Sequence, residues 1–196
     1  QIIQTAADTP CVVRLSRSDE ISIKRALDAG AAGIIVPQVN SAAHARLVVS
    51  YAKYAPMGTR GIGLSRASKY GLNFDDYVAN ANENTAVIVQ AENIDAVENI
   101  DEICDVEGVD AVFIGPYDLS ASLNKIGRLR DREVLDAMNR VRDACIEKGV
   151  KLGVYGRGPE EVAPYEAEGY NLLCCGADIA VFAAGAKHLL ETLRDK

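Results

Sequence analysis

Short, unbroken apolar runs recur along this chain, and an amphipathic stretch follows each of them. The runs are CVVRL (11–15), AGIIVP (32–37), AVIVQAE (86–92), DAVFIGP (110–116), KLGVY (151–155) and NLLCCG (171–176). A strand with one wet face would alternate in polarity. These runs do not, so they read as strands buried on both faces, the pattern of a parallel sheet. The intervening spacing predicts helices over 19–29, 41–54, 74–82, 94–104, 131–148, 159–169 and 178–194, with a short helical turn at 118–123. Gly30 stands where a helix C-terminus takes a left-handed residue, and Ser41 where a helix start takes a capping oxygen. Pro164 is an awkward member of its helix.

Six βα units without a linker or a shift in composition describe one α/β domain over 1–196. Two architectures satisfy that pattern. An open, doubly wound sheet is complete with six strands. A (β/α)8 barrel needs eight, because an unclosed edge leaves backbone groups unpaired. The pattern alone leans to the open sheet, although the Gly-rich first βα turn that usually goes with it is absent. QIIQTAAD (1–8) runs helix-like straight into the first strand, which suggests a chain truncated at its N-terminus. Residues 55–73 interrupt the alternation with four glycines and three basic side chains, and a connection of that length predicts a functional segment.

The totals exclude several classes of function. A net charge of −7, with no basic stripe, argues against nucleic acid and against anionic membranes. No apolar run approaches the roughly 20 residues of a membrane span. The five cysteines are odd in number and form no C-x-x-C pair, so neither a disulfide frame nor a zinc site is indicated. Four lie in apolar segments and read as reduced, buried thiols of a cytoplasmic protein. His44 and His188 fall inside predicted helices and read as surface or packing residues.

In a parallel sheet, functional groups gather at the C-terminal ends of the strands. Those ends carry Arg14, Gln90 and Glu92, Gly115-Pro116-Tyr117-Asp118, Tyr155 and Arg157, and Asp178. Glu92 and Asp118 close neighbouring βα units, so their carboxylates can converge. Two hard oxygen donors suit Mg2+ or Mn2+. The same pair also fits acid/base catalysis, or two unrelated helix caps. Arg14 ends an apolar strand and needs an anionic partner, either a ligand or an internal acid. In FIGPYDLS (113–120) the Gly-Pro corner allows close backbone approach and opens a helix, whose first amides are ready donors to a carboxylate.

Several segments together resemble the HpcH/HpaI aldolases, metal-dependent pyruvate aldolases built on a (β/α)8 barrel. They are VVRL (12–15), IIVPQVNSAAHAR (34–46), GTRGIGLSRASKYG (58–71), VIVQAENIDAVENIDEICDVEGVDAVFIGPYDLSASL (87–123) and GADIAVF (176–182), in family order. The resemblance implies that the six units are strands 3–8 of the barrel. It implies Glu92 and Asp118 as the metal ligands, with Mg2+, Mn2+ or Co2+ as the cofactor. Gln90 corresponds to a substrate-contacting glutamine. The Gly115-Pro116-Tyr117-Asp118 turn corresponds to the cradle of the pyruvate carboxylate, through the amides of Tyr117 and Asp118. Arg14 corresponds to an arginine that stabilises the developing enolate, and Asp28 to an acid that supports a catalytic histidine. Three departures stand out. The family's histidine segment, of the form Asp-x-Glu-His, is not found. Tyr117 precedes the metal Asp where some members have Ala. Ala91 stands where Ile is common.

The implied reaction is retro-aldol cleavage, or aldol addition, of 4-hydroxy-2-oxo acids, giving pyruvate and an aldehyde. The implied assembly is a homohexamer with exchanged C-terminal helices. Two rivals remain at this level: a related barrel lyase acting on CoA thioesters, and a catalytically incomplete scaffold.

Overall fold

The computed structural model describes residues 9–194, so the reading of QIIQTAAD lies outside the described residues. All six strands form: β1 (Val12–Arg14), β2 (Gly33–Val36), β3 (Ala86–Ala91), β4 (Ala111–Ile114), β5 (Lys151–Gly156) and β6 (Leu172–Cys175). They pair in parallel, in the order β1-β2-β3-β4-β5-β6. A doubly wound sheet reverses its strand order part-way, and this one does not. The lean toward an open doubly wound sheet is therefore corrected: the sheet curls as a half-barrel.

Two apolar clusters show which face is which. Ile34, Val36, Val87, Val89, Val112, Ile114, Leu152 and Val154 pack with the helices in the main core. Their neighbours along the same strands point the other way, where Ile88, Ala111 and Phe113 meet Ile35, Tyr155 and Leu172 with no helical residue among them. The helices thus cover one face, and the concave face has its own smaller cluster. Two glycines shape that inner layer. A Cβ on Gly153 would stand 2.5 Å from Phe113 Cδ2, and one on Gly33 would stand 2.7 Å from both Ala86 Cβ and the Ala86 carbonyl.

The helices are α1 (Glu20–Asp28), α2 (Ala42–Ala52), α3 (Phe74–Asn84), α4 (Ile94–Glu98), α5 (Ile100–Cys104), α6 (Pro116–Ser122), α7 (Arg132–Lys148), α8 (Pro159–Glu166) and α9 (Asp178–Arg194). Asp19, Ser41, Asn93 and Asp131 cap α1, α2, α4 and α7 with side-chain oxygens. The helix expected over 94–104 is broken at Asn99, whose side-chain amide donates to the Asn40 carbonyl at 2.9 Å. Within the long connection lies a 3-10 helix, Arg66–Gly71, with Lys69 and Tyr70 in the left-handed region at φ 50° and 55°. Sequence periodicity gave no sign of it. No helix of the described residues is long and apolar enough to cross a membrane.

The thiol expectation holds for two of the five cysteines, and Cys11 is half-buried. Cys104 and Cys145 are buried, but Cys174 and Cys175 are exposed, because β6 is an edge of the sheet.

Candidate active site

Glu92 follows the last residue of β3 and is 2% exposed. Both of its oxygens are engaged. Oε1 accepts from the Gln38 backbone amide at 3.0 Å, and Oε2 accepts from Gln90 Nε2 at 2.6 Å. Gln90 is in turn oriented by Arg14, whose Nε donates to Gln90 Oε1 at 3.3 Å. The chain Arg14–Gln90–Glu92 thus runs across the concave face from β1 to the end of β3. Burial pushes the Glu92 carboxyl above the ordinary carboxylate range. The Gln38 amide opposes that shift, the charge of nearby Asp118 adds to it, and Arg14 opposes it.

Next to Glu92, Gly115 lets the backbone pack directly against the Glu92 and Gln90 side chains. A Cβ there would stand 2.8 Å from Gln90 Nε2 and 3.0 Å from Glu92 Oε2. Pro116 then opens α6, with Tyr117 and Asp118 in its first turn. Amides of a first turn have no intrahelical acceptor. Asp118 is exposed, in contrast to Glu92. Gln90, Glu92, Gly115, Pro116, Tyr117, Asp118 and Arg14 are therefore brought to one end of the sheet.

Arg14 differs from the sequence expectation in one respect: among the described residues it is exposed, on a strand at the edge of the sheet. Asp28 is not brought to this cluster. It ends α1 at the opposite end of the sheet, where Ala32 N donates to Cys11 O at the start of β1. There Asp28 pairs with Lys24 Nζ at 2.9 Å and with the buried Arg60 Nη2 at 2.8 Å. Arg60 also lies 4.6 Å from the Tyr54 ring centre and donates to Tyr77 Oη at 3.1 Å. A helix that leaves the C-terminal end of a strand must carry its own last residue back to the other end. Asp28 is placed there by topology.

One contributor was invisible in the sequence. Gln38 adopts φ 55°, an uncommon conformation for a residue other than glycine, and this aims its amide at Glu92. On the β5 side, Tyr117 Oη donates to Glu161 Oε2 at 3.3 Å, and Glu161 Oε1 pairs with Arg157 Nη2 at 2.6 Å. Tyr155 meets the Tyr117 ring edge-on at 6.3 Å. His44 sits half-buried on α2 and His188 exposed on α9.

The donor set fits a hard divalent cation. Glu92 and Asp118 offer carboxylate oxygens, and a cation would favour the ionised form of Glu92, which burial alone disfavours. Among the described residues no three His, Cys, Asp or Glu side chains gather in a metal-binding group. Two carboxylates would leave most coordination positions to water and substrate, an arrangement that suits a hard divalent cation and not a closed zinc cage.

Comparison with known proteins places this geometry in context. The profile of the HpcH/HpaI aldolase/citrate lyase family matches residues 1–184. A 2-dehydro-3,6-dideoxy-6-sulfogluconate aldolase of Pseudomonas putida is 37% identical over 197 residues, covering 100% of this chain and 76% of the relative. A hydroxypyruvate/pyruvate aldolase of Cupriavidus necator is 35% identical, covering 99% of this chain and 73% of the relative. The crystal structure of an HpcH/HpaI aldolase from Desulfitobacterium hafniense superposes with a TM-score of 0.90 at 30% identity, covering 100% of this chain and 77% of that one. Aldolases of this kind are carbon–carbon lyases, and the chain belongs to the HpcH/HpaI aldolase/citrate lyase family.

Proposed function

We propose that this protein catalyses divalent-metal-dependent retro-aldol cleavage and aldol addition of 4-hydroxy-2-oxo acids, with pyruvate and an aldehyde as the products of cleavage. The observation that carries the reading is the buried Glu92 carboxylate, held by Gln38 and Gln90, packed against the backbone of Gly115 and near Asp118. Glu92 and Asp118 would hold the Mg2+ or Mn2+, with Co2+ as a substitute. Bound there, the ion supplies Lewis-acid polarisation of the 2-oxo acid.

The protein's own groups do the rest. The amides of Tyr117 and Asp118 receive the substrate carboxylate at the Gly115-Pro116 corner. Gln90 holds Glu92 in place and stands where it can donate to the keto region. Arg14, exposed and steered by Gln90, places a guanidinium where negative charge develops during carbon–carbon cleavage. Its exposure leaves it free to turn from Gln90 to substrate. Asp28 acts as an ion-pair partner of Arg60 and Lys24 in this reading, away from the chemistry.

The assembly we propose is a homo-oligomer, a hexamer by family resemblance, joined through α9. Ile179, Val181, Phe182, Leu189, Leu190 and Leu193 are each more than half exposed on that helix, which supports an apolar face met by another copy. The five free cysteines support a cytoplasmic setting.

Calorimetric titration with Mn2+, with and without pyruvate, tests the site. Pyruvate should tighten Mn2+ binding, and Asp118→Asn should remove that coupling. Equal Mn2+ affinity with and without pyruvate in the parent chain would refute the reading.

A further inference from the structure

Cys104 ends α5 and Cys145 lies on α7, and their sulfurs are 3.8 Å apart in the interior. The helices that carry them are braced on the surface by two ion pairs. Lys148 Nζ meets Asp105 Oδ1 at 2.6 Å, and Arg140 pairs with Asp101. The two thiols therefore face each other across a fixed helix–helix seam. A disulfide needs a sulfur separation near 2.05 Å, about 1.8 Å closer than here, which side-chain rotation and a slight approach of the helices supply. Nothing in the proposed aldolase chemistry uses this pair. Neither residue touches Glu92, Asp118 or the turn between them.

We propose that Cys104 and Cys145 are a buried dithiol that a hydroperoxide converts to a disulfide, fastening α5 to α7. Cys104 is 7% exposed and Cys145 is 0% exposed, so Cys104 meets the oxidant first. Its thiolate attacks one peroxide oxygen, the O–O bond breaks and hydroxide leaves, giving a sulfenic acid. The Cys145 thiol then attacks that sulfur and passes its proton to the departing oxygen, so the S–O bond breaks and water leaves as the S–S bond forms. The Cys104 thiol proton converts the first hydroxide to water. Two electrons pass from the thiols to the peroxide, so two thiols and one hydrogen peroxide give one disulfide and two waters. The exposed neighbours Cys174 and Cys175 cannot form an equivalent link, because consecutive strand residues point to opposite faces.

The seam lies toward the end of the sheet opposite the site, because α5 and α7 finish where β4 and β5 begin. α5 leads into β4, whose end carries Gly115 and Asp118, and α7 leads into β5. The link joins segments distant in sequence, so it restricts the unfolded chain as well as the folded one.

The test treats the full chain, with Cys11, Cys174 and Cys175 replaced by Ser, with graded hydrogen peroxide. Free thiols are then alkylated under denaturing conditions and the protein is digested. The expected product is a peptide pair containing Cys104 and Cys145, lighter by two hydrogens than the sum of its parts and released by reductant. Thermal melting of the oxidised chain should rise by roughly 5–10 °C over the reduced chain. In Cys145→Ala, Cys104 should stop at sulfenic or sulfinic acid and the melting gain should vanish. Cys104→Ala serves if that variant does not fold, and then Cys145 should remain alkylatable. Full alkylation of both thiols after peroxide that oxidises a model thiol would overturn the proposal, as would overoxidation of Cys104 with Cys145 still free.

Discussion

Glu92 keeps a carboxylate where little water reaches it, and its stability effect has a definite sign. Burial raises its folded-state pKa above the ordinary 4.5, so the native chain holds that proton more tightly than the unfolded chain. Ionisation therefore costs stability as pH rises through the folded value. Glu92→Gln removes the cost and keeps an acceptor for the Gln38 amide. In the metal-free protein the melting temperature of this variant, taken relative to the parent, should therefore be higher at pH 7 than below pH 4.5. Activity should move the other way. Glu92→Gln and Asp118→Asn should each lower metal-dependent kcat/KM by more than about 100-fold, beyond what loss of a supporting partner costs. Gly115→Ala should fold, yet its Cβ would press on Gln90 Nε2 and Glu92 Oε2, so Mn2+ affinity measured by calorimetry should fall by about 10–100-fold. The carboxylates were legible in the sequence because strand ends can be read from apolar runs. Gln38 was not, because its contribution is a backbone amide in a left-handed turn. Asp28 was carried over from the family resemblance, and the fold places it at the other end of the sheet, paired with Lys24 and Arg60.

At the level of elements, the strands were the most legible part, since each is a local run of apolar residues. Strand order is a long-range property, and local pattern favoured the wrong winding. The break at Asn99 was missed because it depends on the distant Asn40 carbonyl. Lys53 was also missed. It follows α2, is 3% exposed, and donates from Nζ to the carbonyls of Asn82 at 2.7 Å and Thr85 at 2.6 Å. Asp110 lies 3.8 Å away and itself accepts from Val87 N at 2.7 Å. This lysine pins α2, the end of α3 and the start of β3 together. Lys53→Met keeps the apolar stem but strands two carbonyls, so urea unfolding should show a loss of about 2–3 kcal/mol. Gly33→Ala should also destabilise, by about 1–3 kcal/mol, because the new Cβ would meet the Ala86 backbone.

For the molecule as a whole, the main unpaired feature is α9. None of its residues is buried, and its apolar side chains face outward. Nothing in the helical periodicity of residues 178–194 distinguishes such a helix from one packed on its own sheet. If α9 joins copies, Phe182→Glu with Leu190→Glu should reduce the mass found by sedimentation to that of a single chain, with the far-ultraviolet circular dichroism retained. An unchanged mass would remove α9 from the interface.

The cluster Arg14–Gln90–Glu92 draws on the ends of β1 and β3, with a turn from β2 holding Glu92 and the next carboxylate arriving after β4. No single βα unit owns enough of it to act alone. Such an arrangement behaves as a logical conjunction: the output exists when all four strands are in register and disappears when any one slips. A nascent or nicked chain with three strands aligned would therefore be silent, not weakly active. Turnover in this protein would report the alignment of its sheet.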